Sequence, residues 1–359
     1  MARNLVICLD GTGAQLRAKG NTNVLLLYKL LDHSKPTEQI AYYDPGVGTF
    51  ASAGAWTPVA RALSRLGGLA FGTGMRQNLG EAYTWLAENW RPDDRIFVFG
   101  FSRGAYTARA LLGMLQTVGL LRPGTENLVP YVTSTYARRG GEKRIDWDEV
   151  HLTAEVFAQT LDGRSTLPVA YLGVWDTVKA AGLLKWTVTW PYTRAAEPAH
   201  RVRHAVSIDE RRAPFKEYLV DPRTDGSLEE VWFAGVHSDV GGTFDDPRPA
   251  NAPAAARGKA RPDPKLSKIA LKWIVDGAVA EGLLVRPKAF ASACAVSAAD
   301  AEATLHKRGW AWFLLGTRHR RIPPGAAVHS SVLVRAASKG YPKPENVTWV
   351  DPDWQSSRP

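Results

Sequence analysis

Only two cysteines, Cys8 and Cys294, occur in 359 residues. Two isolated thiols exclude a disulfide framework and offer no metal-ligand spacing. Cys8 lies within an apolar run and reads as a small buried side chain. No stretch approaches the roughly 20 consecutive apolar residues that cross a bilayer. A secretory leader is missing too, since the apolar run at 5–9 is short and Asp10 interrupts it. The expectation is a soluble chain made in the cytoplasm, exported if at all by machinery that reads no N-terminal signal. Internal repeats, zinc-finger spacing, aromatic RNA-binding motifs and heptads are all absent. Nucleic acid is therefore not an expected partner, and no motif calls for a cofactor or a metal.

What is present is a composition ordinary for a folded domain, 45% hydrophobic and 22% charged. The chain is long enough for one large core. Net charge is +10, with basic clusters at Arg138-Arg139, Lys143-Arg144, Arg201-Val202-Arg203-His204 and Arg318-His319-Arg320-Arg321. Such an excess suits peripheral contact with an anionic membrane surface.

Apolar runs at 4–9, 40–43, 96–99, 169–175 and 231–236 read as buried strands. Helical periodicity marks 23–31, 75–90, 105–121 and 266–275, and a short helix is expected near 59–66. Helices immediately before and after the strand at 96–99 imply right-handed crossovers, hence a mostly parallel sheet with helices on both faces. Residues 122–165 are polar and irregular and read as an excursion outside the sheet, as do residues 179–200. The Pro/Ala/Arg/Lys mixture at 251–265 reads as a flexible loop. One domain is expected over 1–359, with 122–165 and 179–200 as cap or lid insertions.

The strand at 96–99 runs into Gly100-Phe101-Ser102-Arg103-Gly104, and a helix follows. Strand, G-x-S-x-G and helix together form the setting of a nucleophile elbow, which presents a serine hydroxyl at a sharp turn. A Cβ at either flanking glycine would clash with the neighbouring strand or helix. Two later strands end in Asp176 and His237, giving the chain order Ser102, Asp176, His237 that α/β-hydrolases use. A hydroxyl needs an imidazole to take its proton, and the imidazole needs a carboxylate to hold its tautomer. His329 and His204 rival His237 as the base, and Asp239 rivals Asp176 as the acid. The oxyanion would be met by the backbone N–H of Arg103 and by the small-residue loop Gly11-Thr12. Two other classes stay open. A phosphatase of the haloacid-dehalogenase type would use Asp10 in Asp10-Gly11-Thr12, although Cys8 stands where that pattern usually has a second aspartate. A hydrolase-fold binding protein would have no turnover.

Motifs spread along the chain resemble the α/β-hydrolase family known as domain of unknown function 2235, which includes the first class of type VI secretion lipase effectors. The matching residues begin with Asp10-Gly11-Thr12, Asn21-Thr22-Asn23-Val24 and Tyr43-Asp44-Pro45-Gly46-Val47-Gly48-Thr49. They continue through Gly100-Phe101-Ser102-Arg103-Gly104-Ala105-Tyr106-Thr107-Ala108-Arg109 and Gly173-Val174-Trp175-Asp176-Thr177-Val178. Ile208-Asp209-Glu210-Arg211-Arg212, the run 232–242 and His329-Ser330-Ser331-Val332 complete the set. Gly13-Ala14 departs from the Trp-Asn often found there. The resemblance implies an α/β-hydrolase fold and a serine esterase or lipase acting on fatty acyl esters of phospholipids. An immunity protein or secretion machinery is implied as a partner. Trp186, Trp190 and Tyr192, just past the proposed acid, are expected to form a lid or acyl-binding wall, because such rings suit a lipid–water interface.

Overall fold

A computed structural model describes residues 2–11, 20–46, 68–136, 147–158, 167–179, 189–244, 265–306 and 316–356. Eight strands form one all-parallel sheet in the order β2-β1-β3-β4-β5-β6-β7-β8. They are β1 Asn4–Leu9, β2 Gln39–Asp44, β3 Arg95–Phe101, β4 Val169–Trp175, β5 Ala199–Ser207, β6 Leu228–Phe233, β7 Ala327–His329 and β8 Thr348–Val350.

Why the central strands are apolar throughout follows from their neighbours. Side chains alternate between the faces of a strand, so a strand covered on both sides needs apolar residues at every position. Leu5, Ile7, Leu9, Ile96, Val98, Leu172 and Val174 face one core, filled by helices α2 (Gly68–Asn89) and α3 (Arg103–Val118). Val6, Cys8, Phe97, Phe99, Tyr171 and Trp175 face the other, filled by α1 (Asn23–Leu30) and the helix at Leu266–Ala280. Cys8 is fully buried, and burial pushes its thiol pKa well up. The fold is the expected α/β architecture.

The excursion after α3 departs from expectation. Residues 122–165 hold no strand among those described, but they are helical where the sequence looked irregular. Helix α4 spans Val129–Tyr136 and α5 spans Trp147–Phe157. Val129, Val132, Thr133 and Tyr136 recur at i, i+3, i+4 and i+7 and are buried against α2 and α3. Two helices come next in chain order, the short α6 (His237–Gly241) and then α7, the 15-residue helix at Leu266–Ala280. The chain finishes with α8 (Pro287–Ala293), α9 (Ala298–Ala301) and α10 (Ser331–Lys339). The expected helix near 59–66 and nearly all of the expected loop at 251–265 lie outside the described residues; Lys265 caps α7.

Strand β5 was hidden by its charge. Arg203 and His204 read as part of a surface cluster, yet both serve the interior. The Arg203 guanidinium lies 4.8 Å from the Trp273 ring centroid and pairs with Glu229, and His204 bonds Glu230. Register then does the functional work. Leu9 pairs with Gly100, and Phe101 with Trp175, so the three strands end within one residue of one another and the residues that follow share one rim. The N–H of Ser102 reaches Trp175 O at 3.0 Å and that of Asp176 reaches Ala205 O at 2.7 Å.

Candidate active site

Ser102 sits between β3 and α3 with φ +59° and ψ −120°, a conformation that non-glycine residues seldom adopt. Its flanking glycines make that turn possible. A Cβ on Gly100 would stand 2.7 Å from Ala105 Cα, and one on Gly104 would stand 2.2 Å from Leu9 O. Although Ser102 occupies the N-cap of α3, its side chain caps nothing there. It faces sideways along the rim, with Oγ 2.8 Å from His237 Nε2. His237 Nδ1 lies 2.6 Å from Asp176 Oδ2. The three positions expected to converge are thus one hydrogen-bonded chain.

Each member is fixed from outside. Asp176 accepts from the N–H of Ser207 at 2.8 Å and from its hydroxyl at 3.1 Å. Burial works to raise the Asp176 pKa, but the Arg320 guanidinium and the His237 bond outweigh it and hold the carboxyl well below the usual carboxylate range. As a carboxylate, Asp176 accepts a hydrogen bond from Nδ1–H, which leaves Nε2 free to accept from the serine hydroxyl. Burial lowers the His237 pKa; Asp176 opposes this, while Arg212 and Arg320 add to the lowering. The imidazole is stacked on Phe101 at 4.6 Å and met edge-on by Phe215 at 4.9 Å. Its backbone N–H donates to Glu210, which also takes the N–H groups and guanidinium of Arg212.

The rival residues are engaged elsewhere. His204 accepts from Thr177 N–H and bonds Glu230, so both ring nitrogens are used. His329 bonds Ser331 and Asp351 beneath Trp354. Asp239 holds the N–H of Val236 and the ring of His306. Asp10 accepts from Gly11 N–H, the Thr22 hydroxyl and the Tyr43 hydroxyl, which spreads three donors over its two oxygens. That is the environment of a carboxylate tying β1 to its neighbours. Among the described residues, no group of three or more His, Cys, Asp or Glu is arranged to hold a metal ion.

Gly11 lies beside the serine, since a Cβ built on it would be 3.4 Å from Ser102 Cβ. Its own N–H, however, points to Asp10 Oδ1 at 2.6 Å rather than to a reacting carbonyl. Gly11 thus supplies room beside the serine, with its N–H engaged by Asp10. Thr12 and Trp186 lie outside the described residues. Trp190 is 2% exposed, with its ring against Tyr106 at 5.4 Å and its backbone N–H donating to the Tyr106 hydroxyl at 3.3 Å. It packs into the core on the α3 side rather than on an exposed surface. Tyr192, at 44% exposure, does present its ring outward.

Two buried arginine side chains were not singled out by the sequence reading. Arg109, the last residue of the elbow motif, is fully buried and donates to the carbonyls of Thr193, Tyr218 and Leu219. It pins two loops onto α3. Arg320 looked like one member of a surface basic cluster, and its side chain is 2% exposed and clamped on Asp176.

A family model described as the catalytic domain of Tle1-like phospholipase effectors of type VI secretion matches residues 3–277. Among curated proteins, the uncharacterized protein YEL023C of Saccharomyces cerevisiae is 36% identical over 228 residues, 61% of this chain and 33% of that protein. The chain therefore spans about a third of that relative's length. An uncharacterized protein from Pseudomonas aeruginosa of known structure has a TM-score of 0.46 at 20% identity, covering 84% of this chain and 50% of that one. The Tle1 effector bound to the VgrG spike of the type 6 secretion system has a TM-score of 0.41 at 16% identity, covering 85% and 77%.

Proposed function

Since the chain belongs to the family of Tle1-like phospholipase effector catalytic domains, we propose that it is a serine esterase hydrolysing the fatty acyl esters of phospholipids. The observation that carries the reading is the unbroken path Ser102 Oγ, His237, Asp176, with links of 2.8 and 2.6 Å.

His237 takes the hydroxyl proton as Ser102 attacks the ester carbonyl, and Asp176 stabilises the imidazolium that forms. The tetrahedral oxyanion is met by the N–H of Arg103, the residue after the nucleophile, with the N–H of Thr12 as the proposed second donor. The imidazolium then protonates the departing alcohol oxygen. Water, deprotonated by the same imidazole, attacks the acyl-serine and releases the fatty acid. An anionic membrane surface is the proposed site of action, and the family proposes a secretion-machinery or immunity partner.

The test is a pair of measurements on wild type and Ser102→Ala. Wild type should label with a fluorophosphonate probe and release fatty acid from phospholipid vesicles. Ser102→Ala should keep its fold, lose labelling and fall by at least about 10³-fold in turnover. Undiminished hydrolysis in Ser102→Ala would overturn the serine mechanism. A folded wild type that neither labels nor hydrolyses would favour the binding-protein reading.

A further inference from the structure

The acid of the proposed triad is held by a cation that arrives from far along the chain. Residues 316–320 form a strap over the rim, fastened by Arg318 N–H to Arg211 O at 2.7 Å and Ala213 N–H to Gly316 O at 3.2 Å. The strap lies beyond the residues matched by the catalytic-domain family model. It delivers Arg320 into the buried rim, where Nη1 meets Asp176 Oδ1 at 2.5 Å and Nη2 meets Oδ2 at 3.1 Å. The same guanidinium donates to Ser207 O at 3.0 Å, Ser207 Oγ at 2.7 Å and Phe215 O at 2.6 Å.

This geometry is more specific than charge neutralisation. A planar fork on both oxygens fixes the carboxylate plane, which a point charge does not. Ser207 fixes the carboxylate from β5, so strap and sheet hold it together. Phe215, whose carbonyl takes an Arg320 proton, is the residue whose ring meets His237 edge-on. One side chain therefore links the acid, the strand beside it and the wall of the base.

We propose that Arg320 is a positioning residue of the esterase site, its fork on Asp176 setting the carboxylate orientation that aligns His237 with Ser102. The inference rests on the serine-esterase reading above. It carries a characteristic side effect. Arg320 offsets the Asp176 charge seen by His237 and so depresses the proton affinity of the base. Other charged groups facing this cluster are Glu210 and Arg212 beside His237, and Glu217, with Oε2 3.8 Å from Arg320 Nε. Of these, Arg320 is the cation paired directly with the acid.

The experiment compares wild type, Arg320→Gln and Arg320→Lys on a soluble short-chain ester, with thermal unfolding as a check on folding. Arg320→Gln should lower kcat by about 10²-fold with KM within about twofold, because misaligned reacting groups lose rate without losing binding. The acid limb of its kcat/KM profile should move up by about one pH unit, since the unshielded Asp176 favours imidazolium. Arg320→Lys keeps the charge and loses the fork. Its acid limb should stay near that of wild type while kcat remains at least about tenfold low. Should Arg320→Gln fail to fold, Arg320→Lys alone decides, and wild-type kcat in that variant overturns the proposal. In folded Arg320→Gln, an unmoved limb with unchanged kcat overturns it likewise. Failure of wild type to label with fluorophosphonate would instead sink the esterase reading itself.

Discussion

Three aspartates stand at strand ends on the same rim, and their surroundings divide them. Asp176 is buried against Arg320 and stays ionised. Asp10 and Asp44 are buried without such a cation, and burial pushes the pKa of each up to about 6. Asp44 Oδ1 accepts from Gly46 N–H at 2.6 Å and Asn78 at 2.8 Å, whereas Oδ2 has no hydrogen-bond partner. An unfolded chain gives up this proton near pH 3.9, so between about pH 4 and 6 the folded state binds more protons than the unfolded one. Stability from this group is full below pH 4 and is lost as pH rises through about 6. Asp44→Asn has no such proton to lose. Denaturant titrations should therefore show wild type losing about 2 kcal/mol relative to Asp44→Asn between pH 4 and 7. Parallel pH dependences in the two proteins would show that burial of Asp44 carries no such penalty.

How much of the fold could be read in advance depended on what each strand had to face. β1 and β4 are apolar at nearly every position, and Asn4–Leu9 and Val169–Trp175 coincide with their sequence-based expectations. β5 places His200, Arg201, Arg203 and His204 around the single apolar Val202, and three-residue β7 and β8 are too short for any periodicity. The elbow was legible because its glycines are required sterically, not merely tolerated. That requirement is testable by contrast. A Cβ on Gly104 would lie 2.2 Å from Leu9 O and 2.5 Å from Asp10 O, both backbone atoms that cannot swing aside. A Cβ on Gly80, within α2, would lie 3.4 Å from a Val129 methyl, an ordinary contact. Gly104→Ala should lose about 3 kcal/mol in urea unfolding and most of its esterase activity, because β1 and the elbow must separate. Gly80→Ala should gain about 0.5–1 kcal/mol, the usual benefit of alanine over glycine in a helix, with turnover unchanged. Equal effects of the two substitutions would remove the steric argument for the elbow.

For the molecule as a whole, the proposed triad could be read from chain order, but the residues packed around it could not. Arg109 and Glu210 stand within motifs, and Arg320 within a basic cluster, but nothing local names their partners, which only the closed sheet brings near. The same fact changes the meaning of the net charge of +10. Arg109, Arg203, Arg320 and Arg335 spend their charge on internal carbonyls and carboxylates, so they are not available to a membrane. What remains at the surface includes Arg211, Lys216, Arg318, His319 and Arg321, all exposed on the two segments that the strap ties together beside the site. Attraction between such side chains and anionic head groups is long-ranged but screened, with a Debye length of about 10 Å at 0.1 M salt and about 3 Å at 1 M. Sedimentation of Ser102→Ala with phosphatidylglycerol vesicles should therefore weaken at least about tenfold between 0.05 and 0.5 M NaCl. Phosphatidylcholine vesicles should bind weakly at both salts. Replacing Arg211, Arg318 and Arg321 by Gln should abolish most of the difference between the two lipids while leaving hydrolysis of a soluble ester intact. Salt-independent binding, equal for both lipids, would mean that apolar contact rather than this basic rim brings the enzyme to its substrate.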